Sequence, residues 1–153
     1  MDVSLKDDRI VIGHERMNSM KKITQIEGIG EAYQAKLNDL GIVSVEQLLD
    51  ACKTKKERKE LADKAEISED LILTWANHAD LFRIKGIAGQ YSELLEAAGV
   101  DTVKELAQRN PENLTEAMEK INEEKNLVRS VPYLKMVKKW VDQAKDLPRI
   151  VEY

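Results

Sequence analysis

Two groups of basic side chains are the first candidates for chemistry in this chain, because clustered cations can neutralise the phosphates of a nucleic acid. The run KTKKERK, residues 53–59, carries five basic side chains and includes the candidate contacts Lys55 and Lys56. A second group, nearer the C-terminus, includes the candidates Lys138 and Lys139. A charge run is more often the solvated face of a helix. With a net charge of -4, the chain has no general attraction to nucleic acid, so binding would have to come from these local groups.

The cysteine and histidine residues do not form a recognisable catalytic or metal site. Cys52 is the one cysteine, and His14 and His78 lie far apart without a metal-binding spacing, which excludes an intrachain disulfide and a zinc cluster. We expect Cys52 to pack as a small apolar residue and His78 to lie at the surface or at a boundary. No motif combines a nucleophile, a base and an oxyanion donor. We therefore expect no enzyme activity, no cofactor, no metal ion and no small-molecule substrate.

Charge and hydropathy along the chain indicate where the protein resides. No apolar run approaches the roughly 20 residues that a membrane span requires. The N-terminal sequence MDVSLKDDRIVIGHERM carries acidic residues where a signal peptide would be basic. We therefore expect a cytoplasmic protein that does not bind membranes.

A long internal repeat organises the chain. The segment IEGIGEAYQAKLNDLGIVSVEQLL from Ile26 aligns without gaps to IKGIAGQYSELLEAAGVDTVKELA, which begins 58 residues later at Ile84. Ser44 with Gln47 predicts a capping box that begins a helix in the first copy, and Thr102 with Glu105 predicts the same in the second. The repeat therefore predicts two similar sets of helices.

Aromatic residues extend the repeat beyond this alignment. Trp75 recurs as Trp140 at a spacing of 65, so the second copy carries seven additional residues, which we place among residues 111–129. Because Tyr33 and Tyr91 also match, a shared core explains these aromatics better than base stacking, which would require exposure. The repeat divides the chain as follows: a leader or N-terminal extension, 1–20; unit 1, 21–81; unit 2, 82–147; and a C-terminal tail, 148–153.

The glycine pattern of each copy resembles the helix-hairpin-helix motif. Over residues 21–151 the chain resembles the bacterial tandem helix-hairpin-helix family called domain of unknown function 4332, most specifically in LILTWANHADLFRIKGI and GVDTVKELAQRNPENL. The resemblance implies an all-α fold of two tandem helix-hairpin-helix units that pack as one compact helical body. The family label implies no activity, because fold does not dictate function.

In helix-hairpin-helix proteins that bind DNA, the amides of the glycine turn hold a phosphate at the start of a helix. The resemblance makes candidates of two turns, although Glu31 follows the first with a carboxylate and Ala88 replaces a glycine of the second. The alternative, which we favour, is a tight turn between closely packed helices. The candidate phosphate-binding residues are Gly28, Ile29 and Gly30 in the first turn and Lys85, Gly86, Ile87 and Gly89 in the second.

Two binding functions remain open from the sequence. The first is a protein-interaction or scaffold module that presents a helical surface to a partner protein or to another copy of the chain. Its acidic net charge and the interrupted glycine turns favour this function. The second is weak, sequence-independent nucleic-acid binding through the turns and the basic groups.

Overall fold

The computed structural model describes residues 21–87 and 89–153 and confirms the all-α fold that the sequence predicts. Within these residues it contains eight α-helices and no β-strand. A short 3-10 turn at Ile23–Gln25 precedes the helices, none of which is long and apolar enough to cross a bilayer. The predicted leader, 1–20, lies outside the described residues. The helices are α1 (Glu31–Asp39), α2 (Val45–Ala51), α3 (Lys55–Ala65), α4 (Glu69–Leu81), α5 (Gly89–Ala97), α6 (Val103–Ala107), α7 (Pro111–Lys125) and α8 (Leu134–Asp146).

The helices follow the sequence repeat. Helices α1 and α5 both have 9 residues and begin 58 positions apart, while α4 and α8 both have 13 residues and begin 65 positions apart. The additional residues of the second copy lie in α7, which has 15 residues where α3 has 11, and in the longer connection 126–133. In each unit the second and third helices pack against the fourth.

The predicted capping boxes differ between the two units. At the start of α2, the Ser44 side chain accepts from Gln47 N while the Gln47 side chain accepts from Ser44 N, which makes a complete box. At the start of α6, Thr102 Oγ1 accepts from Glu105 N, but Glu105 Oε1 accepts from Asp101 N instead of Thr102 N. The second box is therefore half formed, because the carboxylate reaches one residue further back.

Each unit has its own apolar core around one tryptophan. Trp75 and Trp140 are almost fully buried, as the repeat predicts. The ring of Tyr33 meets Trp75 edge-on with centroids 5.0 Å apart, and Tyr91 lies 5.4 Å from Trp140 in a tilted arrangement. Such aromatic pairs contribute about 0.5–1.5 kcal/mol beyond their buried area. The two tryptophans are therefore core residues, and the two tyrosines are partly buried and pack against the cores.

Neighbouring residues at the end of α4 belong to different cores. Phe82 follows α4 without a linker and belongs to the core of unit 1, whereas its neighbour Leu81 belongs to the core of unit 2. Lys21 Nζ donates to the Phe82 carbonyl at 2.8 Å, and Val151 of the tail is buried in the unit 1 core. The connection and the tail thus fasten one unit to the other.

Candidate binding surfaces

The first glycine turn lies before α1 with an acidic side chain beside it. Gly28 has a φ of +94°, Ile29 is buried, and Gly30 caps α1 in an extended conformation. Glu31 is exposed in the first turn of α1, where a bound phosphate would sit close to its carboxylate. Like charges oppose such binding, so this turn is a poor anion site.

The second turn is occupied by contacts within the protein. Lys85 and Gly86 are exposed and Ile87 is buried. Lys85 N donates to Gln143 Oε1 at 3.0 Å, and Gln143 Nε2 donates back to the Lys85 carbonyl at 3.4 Å. Gly89 is buried so closely against the carbonyl of Gln25 that a Cβ at this position would overlap the oxygen. Unit 1 thus covers the start of α5, and the turn is used for packing.

The basic run 53–59 is broken up by the fold. Lys55 and Lys56 are exposed at the start of α3, but Lys53 pairs with Asp50 at 2.8 Å. Arg58 is only 5% exposed. Its guanidinium donates to backbone carbonyls, so this run presents fewer free cations than its sequence implies.

Helix α8 carries the second basic group on one exposed face. Val137, Trp140 and their apolar neighbours bury the opposite side of the helix. Tyr133, at the start of the helix, is 76% exposed and was not among the residues singled out by sequence. Asp142 and Asp146 interrupt this face. Its exposed lysines are Lys135, Lys138, Lys139 and Lys145.

The buried polar residues include one that the sequence analysis placed wrongly. His78 is 3% exposed, not at the surface, because α4 is covered by both units and not along a single face. Its Nε2 lies 3.3 Å from Glu96 Oε1, although the two are not aligned for a hydrogen bond. Burial, followed by neighbouring carboxylates, raises the pKa of Glu93 and of Asp101 near this position. No group of three metal-ligating side chains occurs among residues 21–87 and 89–153.

Cys52 is fully buried at the end of α2, as the sequence predicts. Burial raises the pKa of its thiol to about 12, against a smaller opposing effect of the Arg58 charge. Because the thiolate is the nucleophilic form, a thiol with this pKa is unreactive near neutral pH. Cys52 therefore contributes to packing.

A groove in unit 1 is a surface feature that the sequence analysis missed. It lies between the end of α1 and the side of α3, encloses about 290 Å³, and is called the α1–α3 groove below. Leu40 on its wall is 40% exposed, and Val43, just beyond Ile42, is 53% exposed. The residues that line it are Leu40, Ile42, Ala51, Glu57, Glu60, Leu61 and Lys64.

The repeat itself contains the signal that could have found this groove. At the positions of Leu40 and Val43, unit 2 has Ala98 and Asp101. In unit 2 helix α7 packs directly on α5, whereas their counterparts α3 and α1 make little contact in unit 1. Exposed aliphatic residues therefore occur where the packing of the first and third helices differs between the two units.

Comparisons with known proteins give one result that bears on the whole chain. The model of a family described as domain of unknown function 4332 matches residues 27–147. No curated protein and no solved structure matches the chain.

Proposed function

The chain belongs to the domain of unknown function 4332 family, and from its structure we propose a non-enzymatic module that binds a partner protein through the α1–α3 groove. We also propose that each unit is a helix-hairpin-helix and that the protein is cytoplasmic. The main support for the binding module is the exposure of Leu40 and Val43 beside the groove. At the equivalent position in unit 2, the first and third helices pack directly on each other. Apolar side chains left uncovered next to a concave surface are typical of protein-binding sites.

The size and lining of the groove favour a protein side chain as its occupant. Small-molecule sites usually enclose about 300–1,000 Å³, so the groove is at or below the lower limit. Its wall combines aliphatic side chains with Glu57, Glu60 and Lys64, and no histidine, cysteine or serine lines it. An apolar centre with a charged rim is the usual anatomy of a protein interface.

Affinity capture with repeat-swap variants tests this function. The double variant Leu40→Ala with Val43→Asp introduces the residues that unit 2 carries at Ala98 and Asp101. We expect it to retain at least about tenfold less of a stoichiometric protein partner than the unaltered chain, because residues central to an interface contribute most of its energy. The measurement is quantitative mass spectrometry of captured protein.

A matched change on unit 2 serves as the control for this experiment. Tyr133→Asp with Leu134→Ala also removes exposed apolar side chains, but far along the chain from the groove. It should leave capture unchanged, and both variants should melt within a few degrees of the original protein. Full retention of the partner by the groove variant would reject the proposed function.

Nucleic-acid binding is the second candidate, and the exposed face of α8 favours it. Tyr133 stands exposed beside Lys135, Lys138 and Lys139, a combination that can stack on a base and neutralise phosphates. The aspartates on the same face and the overall negative charge oppose it.

We expect duplex DNA to bind no more tightly than a non-specific protein, with a Kd of about 10⁻⁴–10⁻⁶ M or weaker at physiological salt. Fluorescence anisotropy across a salt series measures this affinity. Binding that is tight and steeply salt-dependent, and that Lys138→Glu with Lys139→Glu abolishes, would make nucleic acid the principal ligand. Lys55→Glu with Lys56→Glu tests the contribution of α3 in the same assay.

A further inference from the structure

An arginine side chain covers the C-terminus of α5, the first helix of unit 2. Arg109 Nη1 donates to the carbonyl oxygen of Ala98 at 3.2 Å and lies 3.8 Å from the place of a Cβ on Gly99. The last carbonyls of a helix carry partial negative charge, so a cation there is favourable. In unit 2 an arginine of the chain itself supplies that cation.

Helix α1 ends with the same backbone geometry but without the arginine. The amides of Leu40 and Ile42 donate to the Leu37 carbonyl, just as those of Ala98 and Val100 donate to the Leu95 carbonyl. No residue in the described part of the chain donates to the Leu40 carbonyl. The C-terminus of α1 therefore has the backbone geometry of the C-terminus of α5 but lacks the cation.

The candidate cation of unit 1 is used elsewhere. Lys53 directly precedes the cap of α3, as Arg109 directly precedes the cap of α7. It forms an ion pair with Asp50 at 2.8 Å instead of reaching the end of α1. Helix α2 is also two residues longer than α6, and its last residue, Ala51, lines the α1–α3 groove. A small side chain there leaves room for an incoming one.

The charges that line the groove favour a cation. Glu57 Oε1 accepts from Thr54 N and Thr54 Oγ1, at 3.1 and 3.2 Å, which fixes this carboxylate at the start of α3. Glu60 is exposed and forms no ion pair within the described residues. Lys64 is the single cation on the wall against these two carboxylates.

We propose that the α1–α3 groove receives an arginine side chain from the partner protein, with the guanidinium donating to the Leu40 carbonyl and facing Glu60. A guanidinium suits this place because its planar fork can serve a carbonyl and a carboxylate together, whereas an ammonium is a compact point charge. Aliphatic residues next to that arginine would cover Leu40 and Val43. This inference rests on the proposed function, since it specifies the chemistry of the partner at the same groove.

A titration followed by NMR tests the proposal on the full chain. The probe is an arginine blocked as N-acetyl-arginine methylamide, and the comparison is the equivalent blocked lysine. We expect saturable shifts of the amides of Leu40, Gly41, Ile42 and Ala51 with the arginine probe, and weaker or no shifts with the lysine probe. Glu60→Gln should weaken arginine binding about threefold, the size expected for one exposed ion pair.

Glu116 provides the matched control, because it follows the cap of α7 by the same number of residues as Glu60 follows the cap of α3, and it is also exposed. Glu116→Gln should leave the affinity for the arginine probe unchanged. Absence of saturable shifts at the groove up to the solubility limit of the probe, or equal affinity for the two probes, would overturn the inference.

The two proposals fail in different ways. If the Leu40→Ala with Val43→Asp variant loses its protein partner but the groove does not bind the arginine probe, the interaction module stands and the arginine inference is rejected. If the same variant keeps its partner, the proposed function is rejected whatever the probe does.

Discussion

Gly86→Val is expected to lower the free energy of unfolding by about 2–4 kcal/mol and Gly28→Val by about 1–3 kcal/mol. Both glycines have a positive φ, +100° at Gly86 and +94° at Gly28, which a β-branched side chain adopts only with strain. A Cβ on Gly86 would lie 3.1 Å from Nε1 of Trp140, whereas one on Gly28 would lie 3.4 Å from Nε1 of Trp75. Strain acts at both sites, and crowding against the indole adds more at Gly86.

Urea titration of the three proteins measures these losses as shifts in the unfolding midpoint at constant slope. Gly30→Val is the control, because Gly30 has an ordinary extended φ of -94° and its Cβ would meet no atom within 4 Å. It should shift the midpoint less than either of the other changes, by no more than the cost of replacing glycine at the N-cap of α1. Equal midpoints for all four proteins would mean that neither turn has the conformation described here.

The repeat made the turns and the cores predictable. Equivalent glycines and tryptophans at fixed spacings required the same local structure twice, and the indole of each unit does lie on its own glycine turn. The start of α7 was also predictable, because Pro111 has a fixed φ and no amide to satisfy at the first position of a helix. Local rules of this kind depend on neighbouring residues and so are contained in the sequence.

Features that depend on the packing of one unit against the other were not predictable in this way. Helical periodicity assigns one buried face to α4, but Asn77, His78, Ala79 and Asp80 are all buried in succession because both units cover this helix. The burial of Gly89 against Gln25 has the same origin. Contacts between distant segments leave no local pattern.

The candidate groove is a third kind of feature. The residues that form it differ visibly between the repeats, but the structure was needed to interpret that difference. Leu40 and Val43 differ from their repeat counterparts, but a difference between repeats has no meaning until the position is known to be exposed. Arg58 is similar. It follows the N-cap of α3 by four residues, as the buried Leu114 follows the N-cap of α7. This equivalence with Leu114 indicates an inward side chain despite the charge of Arg58.

The buried guanidinium of Arg58 holds the C-terminal tail on unit 1. It donates to the carbonyls of Cys52 at 2.9 Å, Lys53 at 3.2 Å and Glu152 at 2.7 Å. Glu152 N donates in turn to the Lys53 carbonyl at 2.8 Å. The guanidinium also lies 5.8 Å from the ring centroid of Tyr153. One side chain thus joins the end of α2, the start of α3 and the tail.

We expect Arg58→Ala to lower the free energy of unfolding by about 3–5 kcal/mol. Hydrogen bonds to a charged donor each contribute about 1.5–3 kcal/mol, and carbonyls left without a donor in a buried site add a desolvation cost, but such losses are not additive. Arg58→Leu, which supplies the side chain of Leu114, should recover part of the apolar packing and none of the hydrogen bonds. Urea titration measures both, and Lys55→Ala on the exposed side of α3 should stay within about 0.5 kcal/mol.

A double-mutant cycle with the tail decides whether Arg58 acts through it. Removal of residues 150–153 deletes the buried Val151 together with the Glu152 carbonyl, so it should itself destabilise unit 1. If the tail and the guanidinium stabilise each other, Arg58→Ala will cost at least about 1 kcal/mol less in the shortened chain than in the full one. An identical cost in both backgrounds would show that Arg58 stabilises only the α2–α3 connection, and that other contacts hold the tail, among them the buried Val151 and the hydrogen bond from Glu152 N to the Lys53 carbonyl.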